Sequence, residues 1–268
     1  MTLENNSSNW MWLKLFCLTI IAALIFEHSQ FDLRISELFY TNGQWFLEKG
    51  AQPYAFLFYD GPKALLILLA IYLMAVLIIK YRQPSDNTAI ANDSQFSRFM
   101  VPFSVREISY LLIILIVVPS TIALLKGVTH VSCPNDLTLF GGDLPYLDIW
   151  QNMLAKTPAK CFPAAHASAG FSLYGFAFLP TLHKYRYRIF EIVTVLGWTM
   201  GLYKMLFGDH FFSHTLVSML LSLTITCALA SLFFKRTAKG KAKNRAKNKL
   251  LNDDSAYKTP DSKTNSSF

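Results

Sequence analysis

Six stretches of this chain are apolar over, or close to, the length needed to cross a bilayer, and no other feature constrains its folding as strongly. They are residues 10–26, 62–79, 109–125, 164–179, 189–207 and 211–234. A spanning helix takes roughly 20 mostly apolar residues, within a range of about 17–25. The segments are rich in Leu, Ile and Phe without the alternation of barrel strands, so they read as helices. At 16% charged residues the chain also falls below the roughly one-quarter fraction of soluble domains. The expected fold class is therefore all-α: a polytopic membrane protein with a bundle of six transmembrane helices. The fourth segment is the least apolar, and its Ser168, Gly170, Ser172 and Gly175 suit close helix–helix contact.

The first segment carries Lys14 ahead of its apolar core, as a secretory signal would. The following Glu27-His28-Ser29-Gln30 has no small-x-small cleavage site, so a retained anchor is expected. Lys and Arg placement gives the orientation. Lys80, Arg82, Arg98 and Arg106 lie between segments two and three, and Lys184, Arg186 and Arg188 follow segment four. The tail from Lys235 holds ten basic residues against Asp253, Asp254 and Asp261, which accounts for most of the formal charge of +8. With six spans these regions share one side, the cytoplasm. The expected organisation is a cytoplasmic N-terminus over 1–9, a membrane domain over 10–234 and a basic, disordered tail over 235–268. The tail lacks interleaved aromatics, so it reads as a juxtamembrane segment near anionic lipid and not as a nucleic-acid binder. The polar stretch 83–95 is expected to be flexible.

The opposite side carries residues 27–60, the 126–163 loop and the turn Gly208-Asp209-His210. Within 31–40, Phe31, Leu33, Ile35, Leu38 and Phe39 alternate with Asp32, Arg34 and Glu37, as in an interfacial helix. At the outer ends of the last four segments stand Lys126, His166, Lys204, His210 and His214. Ionisable residues at membrane depth are costly and point to function. Singly, each lysine also fits interface snorkelling, and His166 fits a solvated helix end. His210 and His214 share a helix face and could ligate a metal, but no H-E-x-x-H companion accompanies them. No metal or other cofactor is expected.

At these positions the chain resembles the membrane branch of the type-2 phosphatidic acid phosphatase family. Its motifs K-x6-R-P, P-S-G-H and S-R-x5-H-x3-D find counterparts in KGVTHVSCP from Lys126, PAAH from Pro163 and YKMLFGDHFFSH from Tyr203. Spacing and order agree across residues 10–234. Cys133 stands for the first arginine, Ala164 and Ala165 for the serine and glycine, Lys204 for the second arginine and His214 for the aspartate.

The resemblance implies a six-helix, metal-independent phosphohydrolase of lipid phosphates or pyrophosphates. It implies His210 as the nucleophile that becomes phosphohistidine, and His166 as the general acid. Lys126 and Lys204 would neutralise phosphate oxygens, and the segment opening at Pro163 would offer free N–H groups to an anion. His214 would accept the His210 Nδ1 proton if neutral, without the fixed charge of aspartate. Lysine at 204 gives up a planar bidentate fork for a point charge. The expected partner is a membrane lipid phosphate. The location implied is a bacterial inner membrane, with the active site facing the periplasm or exterior. Lipid-to-lipid phosphotransfer, a catalytically weak lipid-phosphate binder and a transporter-like bundle are the alternatives. Cys17 and Cys227 fall in apolar segments, whereas Cys133 and Cys161 share the outer loop and are disulfide candidates in an oxidising compartment.

Overall fold

The structure is a computed structural model and describes residues 10–82 and 102–256. Helices α1 (Met11–Glu27) and α2 (Phe31–Glu37) precede a small hairpin, β1 (Tyr40–Thr41) and β2 (Gln44–Trp45). Then come α3 (Gly61–Arg82), α4 (Val105–Thr129), α5 (Ile149–Ala155), α6 (Ala165–Phe171), α7 (Arg186–Met205) and α8 (Phe212–Ala256). The hairpin is antiparallel, with Tyr40 opposite Trp45. Asn42 and Gly43 turn it with positive φ, the backbone that an Asn-Gly pair adopts readily.

Each of the six apolar segments contains helix, but they do not all span alike. Phe56–Arg82, Val105–Asp136 and Phe212–Phe234 are long and apolar enough to cross a membrane. A fourth crossing results if α1 and α2, bent by 69° to each other, are taken as one. The segment 164–179 departs from the single span expected of it. It is the short α6 continued by a 3-10 stretch, Ser172–Phe178. Gly170 and Gly175, which weaken helix propensity, are the residues that let this irregular piece sit deep in the bundle. The segment 189–207 is helical within α7, whose Arg186, Arg188, Glu191 and Lys204 reduce its apolar character. The chain is an integral membrane protein. Leu65, Leu68 and Ile71 of α3 are at least 60% exposed, a surface suited to acyl chains and not to water.

The sixth segment also runs further than expected. α8 continues to Ala256, so residues 235–256, expected to be disordered, are helical. Their Ala, Lys, Arg and Leu content is a strong helix-forming composition. Residues 1–9, the linker 83–95 and residues 257–268 lie outside the described residues.

α8 packs against α1, α4, α6 and α7. Its buried Ser218, Ser222 and Thr224 hydroxyls each donate to the carbonyl four residues earlier, so they carry no unmet bond into the core. Ile108, Leu111, Ile114, Val118 and Ile122 of α4 form the main apolar cluster with Leu73 and Val76 of α3. Glycines set the tightest approaches. A Cβ on Gly197 would come within 2.2 Å of the Phe171 ring, and one on Gly201 within 2.4 Å of the Thr215 side chain. These contacts draw α7 against α6 and α8. At the other end of the bundle, Ser104 and Glu107 form a capping box on α4. The second Glu107 oxygen accepts the N–H and hydroxyl of Thr181, which pins the turn before α7.

Candidate active site

The end of α7 and the start of α8 are joined by a tight turn. Gly208 turns it at φ 75°, with the Trp45 ring against the face where a side chain would project. Its carbonyl accepts the Asn135 N–H at 2.9 Å, and Asp209 N–H returns to the Lys204 carbonyl at 2.9 Å. These bonds fix His210, which is 4% exposed, immediately ahead of α8. Burial, followed by His214, Lys126 and Lys204, holds the His210 imidazole well below the ordinary histidine range. It is therefore neutral near pH 7.

Lys126 comes from the last turn of α4, His166 from the first turn of α6 and Lys204 from the last turn of α7. His166 and Lys204 meet on one aromatic ring. The His166 imidazole stacks on Tyr59 at 4.4 Å between centroids, and Lys204 Nζ lies 4.6 Å from the same centroid. His166 Nε2 lies 3.1 Å from the Phe58 carbonyl, which can only accept, so this nitrogen carries the proton.

Lys126, His166, Lys204 and His210 all line one cavity of about 580 Å3. Cys133 and Cys161 also line it and are joined by a disulfide, with Cα atoms 5.2 Å apart. His214 does not reach this cavity. It is 2% exposed and sits behind His210, with ring centroids 5.7 Å apart. The edges of Phe162 and Phe211 close around it. No hydrogen bond joins the two imidazoles, and Nδ1 of each has no hydrogen-bond partner. The expected anion seat at the start of α6 is also altered. Pro163 precedes the helix by two residues, and the Ala164 N–H is taken by the His214 carbonyl at 3.1 Å.

The cavity contains charges that sequence reasoning missed. Lys49, Lys63 and Lys160 join Lys126 and Lys204, against the single carboxylate of Asp209. Asp209 pairs with Lys204 at 2.9 Å and Lys49 at 3.2 Å, and accepts from Asn135 Nδ2 at 3.3 Å. Among the described residues both ion pairs fall on Asp209, so Lys63, Lys126 and Lys160 face no carboxylate at ion-pair distance. Lys49 and Lys63 sit in stretches with no motif. Only Asp209, a lone acid beside His210, carried a usable sequence signal. The same cavity has an apolar wall formed by Leu66, Ile67, Ala70, Leu115, Pro119 and Met200.

Among the described residues, Cys133, Asp136 and Cys161 are the one group of His, Cys, Asp and Glu close enough to share an ion. Both sulfurs are already bonded to each other. Asp136 is likewise engaged, accepting the Cys133 N–H at 3.1 Å. The site is thus a cationic, half-apolar cavity with a buried neutral imidazole in one wall and a second imidazole on an aromatic shelf. No curated protein and no solved structure matches the chain. Residues 107–238, which include Lys126, His166, Lys204, His210 and His214, match the family profile described as the PAP2 superfamily.

Proposed function

Since the chain belongs to the PAP2 superfamily through residues 107–238, a superfamily made up generally of phosphatases, we propose that it is a membrane phosphohydrolase acting on a lipid phosphate or pyrophosphate. The observation that carries this reading is the convergence of His210, His166, Lys126 and Lys204 on one lysine-rich cavity. The apolar wall from Leu66 to Met200 favours a lipid over a small soluble ester, because it can bury hydrocarbon next to the charged floor.

In this mechanism the neutral His210 attacks phosphorus through a ring nitrogen. The N–P bond forms as the bond to the lipid oxygen breaks. His166 protonates the departing oxygen. With Nε2–H directed at the Phe58 carbonyl, Nδ1 takes up a proton from solvent before the attack, and the His166 imidazolium then delivers it from Nδ1 and returns to the neutral ring. Water then attacks the phosphohistidine, releases phosphate and restores His210. Lys126 and Lys204 offset charge on the phosphoryl oxygens as it builds, and Asp209 keeps Lys204 extended toward the site. No step requires a metal. Six spans, a cytoplasmic tail and a periplasm-facing cavity in a bacterial inner membrane complete the reading, supported by the positions of the basic segments.

The test is phosphate release by purified protein from phosphatidate, phosphatidylglycerophosphate, polyprenyl diphosphate and phosphorylated lipid A, with and without EDTA. Turnover of at least one lipid, unchanged by EDTA, is expected. His210→Ala should abolish release, and the acid-labile phosphoenzyme trapped in the native protein should disappear. Full activity in His210→Ala would remove the mechanism.

A further inference from the structure

Four residues beyond His210, within the first turns of α8, is His214, where the resembling family has an aspartate. No fixed negative charge therefore stands at that position, and both buried Nδ1 atoms lack hydrogen-bond partners. On its far side His214 borders a second, small cavity of about 30 Å3, lined also by Glu27, Asp32, Tyr146 and Ser213. That volume is enough for a water molecule, and these side chains supply the polar partners a buried water needs.

Asp32 is the most committed member of this group. It projects from α2 and is only 6% exposed. One carboxylate oxygen accepts the Ser213 backbone N–H at 2.9 Å, and the other accepts the Ser213 hydroxyl. Ser213 lies between His210 and His214 in the first turn of α8. Its N–H is one of the unpaired donors at a helix start, and a carboxylate there also meets the positive end of the helix dipole.

We infer that Asp32 is a positioning residue for His210, supplying from a separate helix the negative charge that His214 does not bring. It acts along two routes. The Ser213 bonds hold the first turn of α8, and the carboxylate lines the same small cavity as the His214 ring, which backs His210. This inference rests on the phosphohydrolase reading for its kinetic consequence, but not for its effect on the imidazoles.

The experiment is a double-mutant cycle in the full-length, detergent-solubilised protein: wild type, Asp32→Asn, His214→Asp and the pair. Asp32→Asn should lower kcat about tenfold with little change in KM, in line with coupling through a shared cavity and a shared backbone turn. In the His214→Asp background the same change should cost less than about twofold, because the charge then stands beside His210. A purely structural cap would cost the same in both backgrounds, and that result, or no loss at all in wild type, overturns the inference. If Asp32→Asn does not fold, Asp32→Ser enters the same cycle, since it also removes the charge while keeping a hydroxyl next to Ser213. A second readout uses nitrogen-15-labelled histidine spectra. Asp32→Asn should shift the His214 ring signals and leave the exposed His183 unmoved. Unmoved His214 signals count against the coupling even in a protein that hydrolyses no lipid, so failure of the functional reading is told apart from failure of this one.

Discussion

At the residue scale the proposed chemistry turns on how an imidazole is kept neutral beside several lysines. Burial and the neighbouring cations both disfavour the His210 cation, so the folded protein holds the ring neutral at pH values where an ordinary histidine is partly protonated. The sign follows directly. Because the pKa is lowered, protonation removes the proposed nucleophile only below the ordinary 6.5. The acid limb of kcat/KM should therefore fall below pH 6.5, and an apparent pKa at or above that value in a pH–rate profile would contradict a buried neutral His210. His214 offers the complementary test. Restoring a carboxylate with His214→Asp should retain or raise activity, and His214→Ala should lower it, because a developing imidazolium at His210 gains from a partner in the side chain packed behind it. Indifference of kcat to both changes would remove His214 from the mechanism.

At the element scale, the wall of the candidate site depends on two loops tied across one end of the bundle. Cys133 follows α4 and Cys161 precedes α6, with a sequence separation of 28. Cys161 N–H donates to the Val131 carbonyl at 2.9 Å, and the Thr129 hydroxyl reaches the Phe162 carbonyl. The bridge therefore reinforces a contact already made by the backbone. In the chain-entropy view a loop of this size contributes about 3–4 kcal/mol. Reduction, or Cys161→Ser, should lower the thermal midpoint. It should also weaken activity, since both cysteines line the cavity between Lys126 and His166. Unreduced peptide mapping should recover Cys133 linked to Cys161. Both thiols alkylating freely without reductant, in protein matured in its own membrane, would reject the bridge.

At the scale of the whole molecule the outward apolar surface and the cationic cavity bear on how the protein sits in a membrane. α3 presents Leu65, Leu68 and Ile71 outward, while Lys63 near its start and the lysines at the ends of α4 and α7 gather at one end. The 126–163 loop is expected outside, and the tail from Lys235 inside. Labelling of single introduced cysteines from each side of the membrane checks this. A tail labelled from outside would mean an odd number of spans and would separate the basic segments that share a side in the six-span topology.

The sequence by itself determined what depends on local composition and spacing. It specified six apolar helical segments, and the motif intervals marked Lys126, His166, Lys204 and His210. Helix ends lie at one depth when apolar lengths match, so these residues could be grouped without coordinates. Tertiary structure alone decided the rest, because the partners lie far apart in the chain. Lys49 and Asp209 are separated by 160 positions, and Asp32 and Ser213 by 181. No periodicity or motif links such residues; only the fold of the 27–60 segment over the start of α8 brings them together. The same limit explains the fourth segment. Its small residues announced close packing, but whether close packing yields a long helix or a short one continued by a 3-10 stretch depends on neighbours such as Met200 and Gly197 pressing on Gly170. His214, too, was legible as a residue type and not as a position. Its separation from the cavity follows from which face of α8 the Phe162 and Phe211 rings cover.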